Sequence, residues 1–132
     1  MKNVMIAALL LGGSALAPAA DVLVSPSWLM ENLADPQLVV FHVGARAGFE
    51  GEHIPGAQLV AGEDLSFPLA ESALLLQLLP PDRLQRTLEG LGVSDDSRIV
   101  IYFDADSMTA AGRVYFSLDA AGLGDRASIL DG

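Results

Sequence analysis

Cysteine is absent from this chain of 132 residues. That excludes a disulfide framework, a thiolate metal site and thiol catalysis by the chain itself. Basic residues are scarce: 7 Lys and Arg face 17 Asp and Glu, a formal charge of −10. A nucleic-acid surface needs a basic patch, and anionic lipid attracts Lys and Arg, so both partners are disfavoured. The first apolar stretch, Val4–Leu11, is too short for an ordinary transmembrane helix. No repeat, low-complexity tract or internal linker interrupts the chain. What is present is 52% hydrophobic and 18% charged, a composition that supports the packed core of one ordinary domain rather than disorder.

The N-terminus reads as a targeting segment. Lys2 gives a short positive region, Val4–Leu11 an apolar stretch, and Gly12-Gly13-Ser14 a loosened end. Ala17-Pro18-Ala19 fits a small-x-small cleavage site. Residues 1–19 are therefore expected to be a signal peptide cut after Ala19. Residues 20–132 form the domain of an exported protein, periplasmic or secreted, with no membrane attachment after cleavage.

The remaining chain alternates extended and helical patterns. Asp21–Val24 is a short strand, and Ser25-Pro26 opens a helix with Trp28, Leu29 and Leu33 on its apolar side. Asp35-Pro36 is expected to stop it. Leu38–Val43 is a buried strand, Gly44–Gly48 a flexible turn, and Phe49–Glu52 one helical turn. Pro55-Gly56 marks a turn before extended Ala57–Val60. Residues 61–79 carry little signal, although apolar Ala73–Leu79 suggests a helical turn on the core. Pro80-Pro81-Asp82 starts an amphipathic helix with Leu84, Leu88 and Leu91 inward, closed by Gly92. Ile99–Phe103 is a second buried strand, a helix follows from about Thr109 to Ala121, and Ala127–Leu130 is a last strand. This alternation predicts a parallel sheet covered by helices. No helix follows the last strand, which predicts a chain truncated there.

The stretch Arg98–Thr109, RIVIYFDADSMT, is the predicted focus of chemistry. A buried strand, a tight loop and a helix start place the loop at the carboxyl end of a sheet, where ligands of open α/β folds bind. Such a loop favours an anion or a thiolate. This one carries Asp104 and Asp106 instead, whose bland role is to cap the next helix. Paired carboxylates also suit a hydrolase or a metal site, but no second acidic or His cluster supports either. Arg113 reads as a surface or interface charge, and Met108 and Phe103 as core.

Four stretches, together spanning residues 22–132, resemble the rhodanese-like domain of sulfurtransferases. VSPSWLMENLADPQLVVFHVG looks like the family's opening helix and second strand. EHIPGA at Glu52–Ala57 looks like its GHIPGA box, LGVSDDSRIVIYF like the approach to its active-site loop, and LDG at Leu130–Gly132 like its LDGG turn. The resemblance implies a three-layer α/β/α fold with a central parallel five-stranded sheet. In catalytic members, a Cys after the strand takes sulfane sulfur from thiosulfate or 3-mercaptopyruvate and passes it to cyanide or another thiol. Asp104 falls at that Cys position, an alignment one residue earlier would put Phe103 there, and neither side chain can form a persulfide. The resemblance thus implies the N-terminal, Cys-less half of a two-domain sulfurtransferase. Its partners would be a C-terminal catalytic rhodanese domain and small sulfur donors, with no cofactor and no metal.

Two further positions carry over by resemblance. His53 matches the His of the box, which lies at the domain interface in mercaptopyruvate-type members together with an Asp eleven residues earlier. Here that earlier position is His42. A His–His pair lacks the orienting charge of a carboxylate–His pair. Both histidines are candidate relay residues, and their bland readings are a turn hydrogen bond for His53 and a satisfied core-edge position for His42. Arg46 is a candidate substrate-binding residue, displaced by two from the family's Asp-x-Arg. The alternative function is a stand-alone Cys-less module that binds a partner protein through an apolar patch. A phosphatase-like relative is weaker still, because that chemistry also needs a Cys loop.

Overall fold

The computed structural model describes residues 20–68, 70–72 and 74–132. The expected signal peptide, residues 1–19, lies outside them. β-branched and aromatic runs form the strands, as their side chains favour a pleated, buried surface. These are β1 (Leu23–Val24), β2 (Leu38–Val43), β3 (Gln58–Val60), β4 (Arg98–Phe103) and β5 (Ala127–Leu130). They form one sheet in the order β1-β5-β4-β2-β3, and every pairing is parallel. The helices are α1 (Pro26–Asn32), α2 (Arg46–Gly51), α3 (Pro81–Gly90) and α4 (Met108–Ala120), with 3₁₀ turns at Gly62–Leu65 and Gly124–Arg126.

Each helix has a local cause. Ser25 caps α1: its Oγ accepts the Trp28 N–H at 3.1 Å, and Pro26 holds the first turn. In α3, Leu84 and Leu88 are one turn apart and both buried. Gly92 follows it at φ +84°, a left-handed conformation that favours glycine. The sheet packs on both faces. One face joins Phe41, Val43, Ile99 and Ile101 to Leu84 and Leu88 of α3 and to Val114 and Leu118 of α4. The other joins Val40 and Val100 to Leu29 of α1, with Trp28, Phe49 and Leu130 packed around them. Strand β5 is no bare edge, since it lies between β1 and β4. The result is the three-layer α/β/α arrangement.

Several local expectations are corrected. Helix α2 begins at Arg46, so the Gly44–Gly48 turn is shorter and the helix earlier than its glycines suggest. Helix α1 stops at Asn32, before Asp35-Pro36, and Leu33 is 38% exposed. No helical turn forms near residues 74–79. Gln77 O accepts the Phe67 N–H at 2.8 Å, and Ser66 bridges Leu78, so this backbone pairs with a neighbouring segment rather than with itself. Leu79 is buried, but Leu74 and Leu75 are exposed. Arg113 is no free surface charge: it donates to Leu76 O and lies 5.0 Å from the Phe116 ring centre. Met108, expected in the core, is exposed, because it opens α4 on the solvent side.

Candidate functional site

The parallel register of β2 and β4 builds the site. His42 pairs with Tyr102 on the neighbouring strand, so their side chains leave the sheet at one level. Strand alternation then brings Asp104, two residues beyond Tyr102, to the same side. His42 is 2% exposed and bonded at both ring nitrogens. Its Nδ1 lies 2.9 Å from the Tyr102 hydroxyl, and its Nε2 lies 3.0 Å from Asp104 Oδ1. The Ile54 N–H donates to the same hydroxyl at 3.0 Å. The Asp104 carboxylate can only accept, so Nε2 carries the proton and donates to it. In the neutral ring, Nδ1 is then the acceptor, and the Tyr102 hydroxyl, which accepts from Ile54, donates to it.

Asp104 does not cap α4, as its place in the sequence suggests. Its Oδ2 accepts the Ala45 N–H at 3.1 Å, across the loop after β2. The reason is direction: a residue that follows β4 directly projects with Tyr102 toward His42, not along α4. Ser107 stands at the helix start, with no side-chain cap bond, and Asp106 is exposed. Gly44 and Gly48 leave room for the carboxylate. A Cβ on Gly44 would lie 2.0 Å from Asp104 Oδ2, and one on Gly48 would lie 3.0 Å from it.

The two histidines do not touch directly. The Phe49 ring lies between them, stacked on His53 at 3.9 Å and edge-on to His42 at 5.5 Å. His53 is exposed, and its Nδ1 bonds Phe49 O at 2.7 Å, back toward α2 rather than at the Pro55-Gly56 turn that follows it. In the neutral ring this Nδ1 carries the proton, leaving Nε2 as an acceptor. A shallow cavity of about 500 Å³ is lined by His42, Glu52, His53, Tyr102, Phe103 and Asp104, among others. Arg46 is not among its lining residues: it is exposed on α2, 3.9 Å from Glu50. Burial pushes the Tyr102 hydroxyl's pKa up, the Ile54 N–H opposes this, and the Asp104 charge adds to the rise. Among the described residues, no group of three or more His, Asp or Glu is placed to hold a metal ion. Nor is any helix long and apolar enough to cross a membrane.

Sequence reasoning missed the carboxylate partner of His42. It looked for a carboxylate partner of His53 eleven residues earlier and met His42 there, whereas the carboxylate that His42 itself bonds comes from the end of β4. Aligning the carboxyl ends of the two buried strands would have found it.

A three-layer α/β domain with its pocket at the carboxyl ends of β2 and β4, and a carboxylate at the loop's head, defines the class. Residues 25–132 match the rhodanese-like domain model, and the chain belongs to that family. It is 29% identical over 121 residues to a protein of Synechococcus elongatus provisionally named a thiosulfate sulfurtransferase, covering 90% of this chain and 37% of that protein. It is 32% identical over 121 residues to one of Pseudomonas aeruginosa provisionally named a 3-mercaptopyruvate sulfurtransferase, covering 83% of this chain and 42% of that protein. Among solved structures, SseA from Escherichia coli, described as a 3-mercaptopyruvate sulfotransferase of rhodanese fold, superposes with a TM-score of 0.65. That match is at 22% identity and covers 84% of this chain and 40% of SseA. The chain thus spans about two fifths of these relatives' lengths.

Proposed function

We propose that this chain is the catalytically silent N-terminal domain of an exported, two-domain sulfurtransferase. The whole protein moves sulfane sulfur from thiosulfate or 3-mercaptopyruvate to a thiophilic acceptor such as cyanide or a thiol. The observation that carries this reading is Asp104. By resemblance it falls where a catalytic rhodanese loop carries its nucleophile, and its carboxylate is bonded to His42 and Ala45. A carboxylate cannot form a persulfide, and the chain has no Cys to supply one elsewhere. The names and lengths of the relatives support the donor classes and the second domain.

In this reading, the domain packs against its catalytic half and shapes the cleft. His53 faces that cleft with Nε2 free to accept a proton, because Phe49 O holds the Nδ1–H. The test is to isolate the mature protein from its native source, weigh it and assay it. The expected protein begins at Ala20, exceeds the 13.8 kDa of this chain, carries a Cys beyond Gly132 and transfers sulfur. A mature protein that ends at Gly132 would overturn the reading.

A further inference from the structure

The Asp104 carboxylate occupies a space that the surrounding chain is shaped to leave clear. Two donors converge there from different sources: the Ala45 backbone N–H at 3.1 Å and the His42 Nε2 at 3.0 Å. His42 cannot swing away. It is 2% exposed, and its other nitrogen is held by Tyr102, whose hydroxyl is held in turn by Ile54. Gly44 and Gly48 provide the walls, since a Cβ at either would crowd Oδ2. The Asp104 side chain is 39% exposed beside the cavity, so its removal would leave the His42 Nε2–H and the Ala45 N–H facing a solvent-reached space shaped for a carboxylate. There a free carboxylate, which accepts from both donors at once, competes with water for the same place. Only the link through its own Cα distinguishes this ligand from a free carboxylate.

We propose that Asp104 is the built-in ligand of an oxyanion site, and that removing its side chain opens the site to a free small carboxylate. In the native chain the site is filled from within and is closed to external oxyanions, including oxyanions of sulfur. The proposal stands on this chain's own geometry and not on the sulfur-transfer reading.

The test uses the full chain with Asp104→Gly and Asp104→Ala. The first substitution removes a CH₂COO⁻ unit and leaves space for acetate. The second keeps Cβ and leaves space for formate. Thermal unfolding is followed with sodium acetate, formate and chloride at matched ionic strength. Acetate is expected to raise Tm of Asp104→Gly in a saturable manner, by about 6 °C at roughly ten times its dissociation constant. Formate should act more strongly than acetate on Asp104→Ala. The wild-type chain should respond to neither beyond its response to chloride. Bound anion should also return the His42 imidazole ¹⁵N signals of both variants toward their wild-type positions. Should either variant be unfolded alone, its matching anion is expected to refold it. Equal responses to all three salts, a saturable response of the wild-type chain, or no recovery of the His42 signals would overturn the proposal. Sulfur transfer by the whole protein is a separate readout, so failure of the oxyanion site and failure of the proposed function are distinguishable.

Discussion

Tyr102→Phe probes the site with the smallest change, a single oxygen atom. That oxygen accepts from the Ile54 N–H and donates to His42 Nδ1. The ring would remain in place against the core around Val40 and Val100. The loss is therefore of hydrogen bonds, not of packing. His42 is fully enclosed, and its Nδ1 would have no other partner. Leaving such a group unsatisfied costs about 1–3 kcal/mol. The Ile54 N–H is half-buried beside the cavity, so water there can replace part of its bond. We expect a total loss of about 2 kcal/mol, which lowers Tm by about 8 °C in a domain of roughly 110 residues. Urea unfolding measures it directly, and the m-value should stay constant, because the surface exposed on unfolding is unchanged. In the neutral ring, imidazole ¹⁵N spectra should show Nδ1 as the unprotonated nitrogen of the wild-type chain. A loss below about 0.5 kcal/mol, within the range of an ordinary surface substitution, would refute the reasoning.

Three further outcomes are expected. The Tyr102 pKa is raised in the folded state above its ordinary value of 10.0, so its contribution to stability is complete below that pH and is lost as pH rises beyond it. Stability of the wild-type chain should therefore fall more steeply than that of Tyr102→Phe above about pH 10, and parallel curves by chemical unfolding would contradict this. Gly44→Ala sets a Cβ 2.0 Å from Asp104 Oδ2 and should cost about 2 kcal/mol, as overpacking does. Adding Asp104→Gly should relieve much of that penalty, and a double-mutant cycle with purely additive effects would count against the close approach. Leu118→Ala, at a position with 0% exposure, should cost about 3 kcal/mol by urea unfolding, because the cavity lies between α4 and the sheet.

The sequence was most readable where one segment decides its own structure. LVVFHV and ASIL are mostly apolar runs, and they form β2 and β5 at the expected bounds. Ser25 and Pro26 mark a helix start that needs no distant partner. Reading failed where a contact crosses the chain. The segment before Pro80 looks helical by composition, but its backbone pairs with Ser66 and Phe67. Arg113 looks like a surface charge because the Leu76 carbonyl that it meets lies 37 residues away. The candidate site shows the same division. His42, His53 and Asp104 were all visible as residues, but their grouping was not. The bond between His42 and Asp104 spans 62 residues, and only the register of β2 on β4 creates it. The family resemblance pointed instead to a His42–His53 pair, but the Phe49 ring contacts both.

The most direct test of the central claim is sulfur transfer by the purified chain alone, read as thiocyanate formed from thiosulfate and cyanide. With Asp104 at the head of the loop and no Cys anywhere in the sequence, the expected rate is that of the uncatalysed reaction. Turnover above that rate, retained after rigorous purification and abolished by Asp104→Ala, would contradict the account.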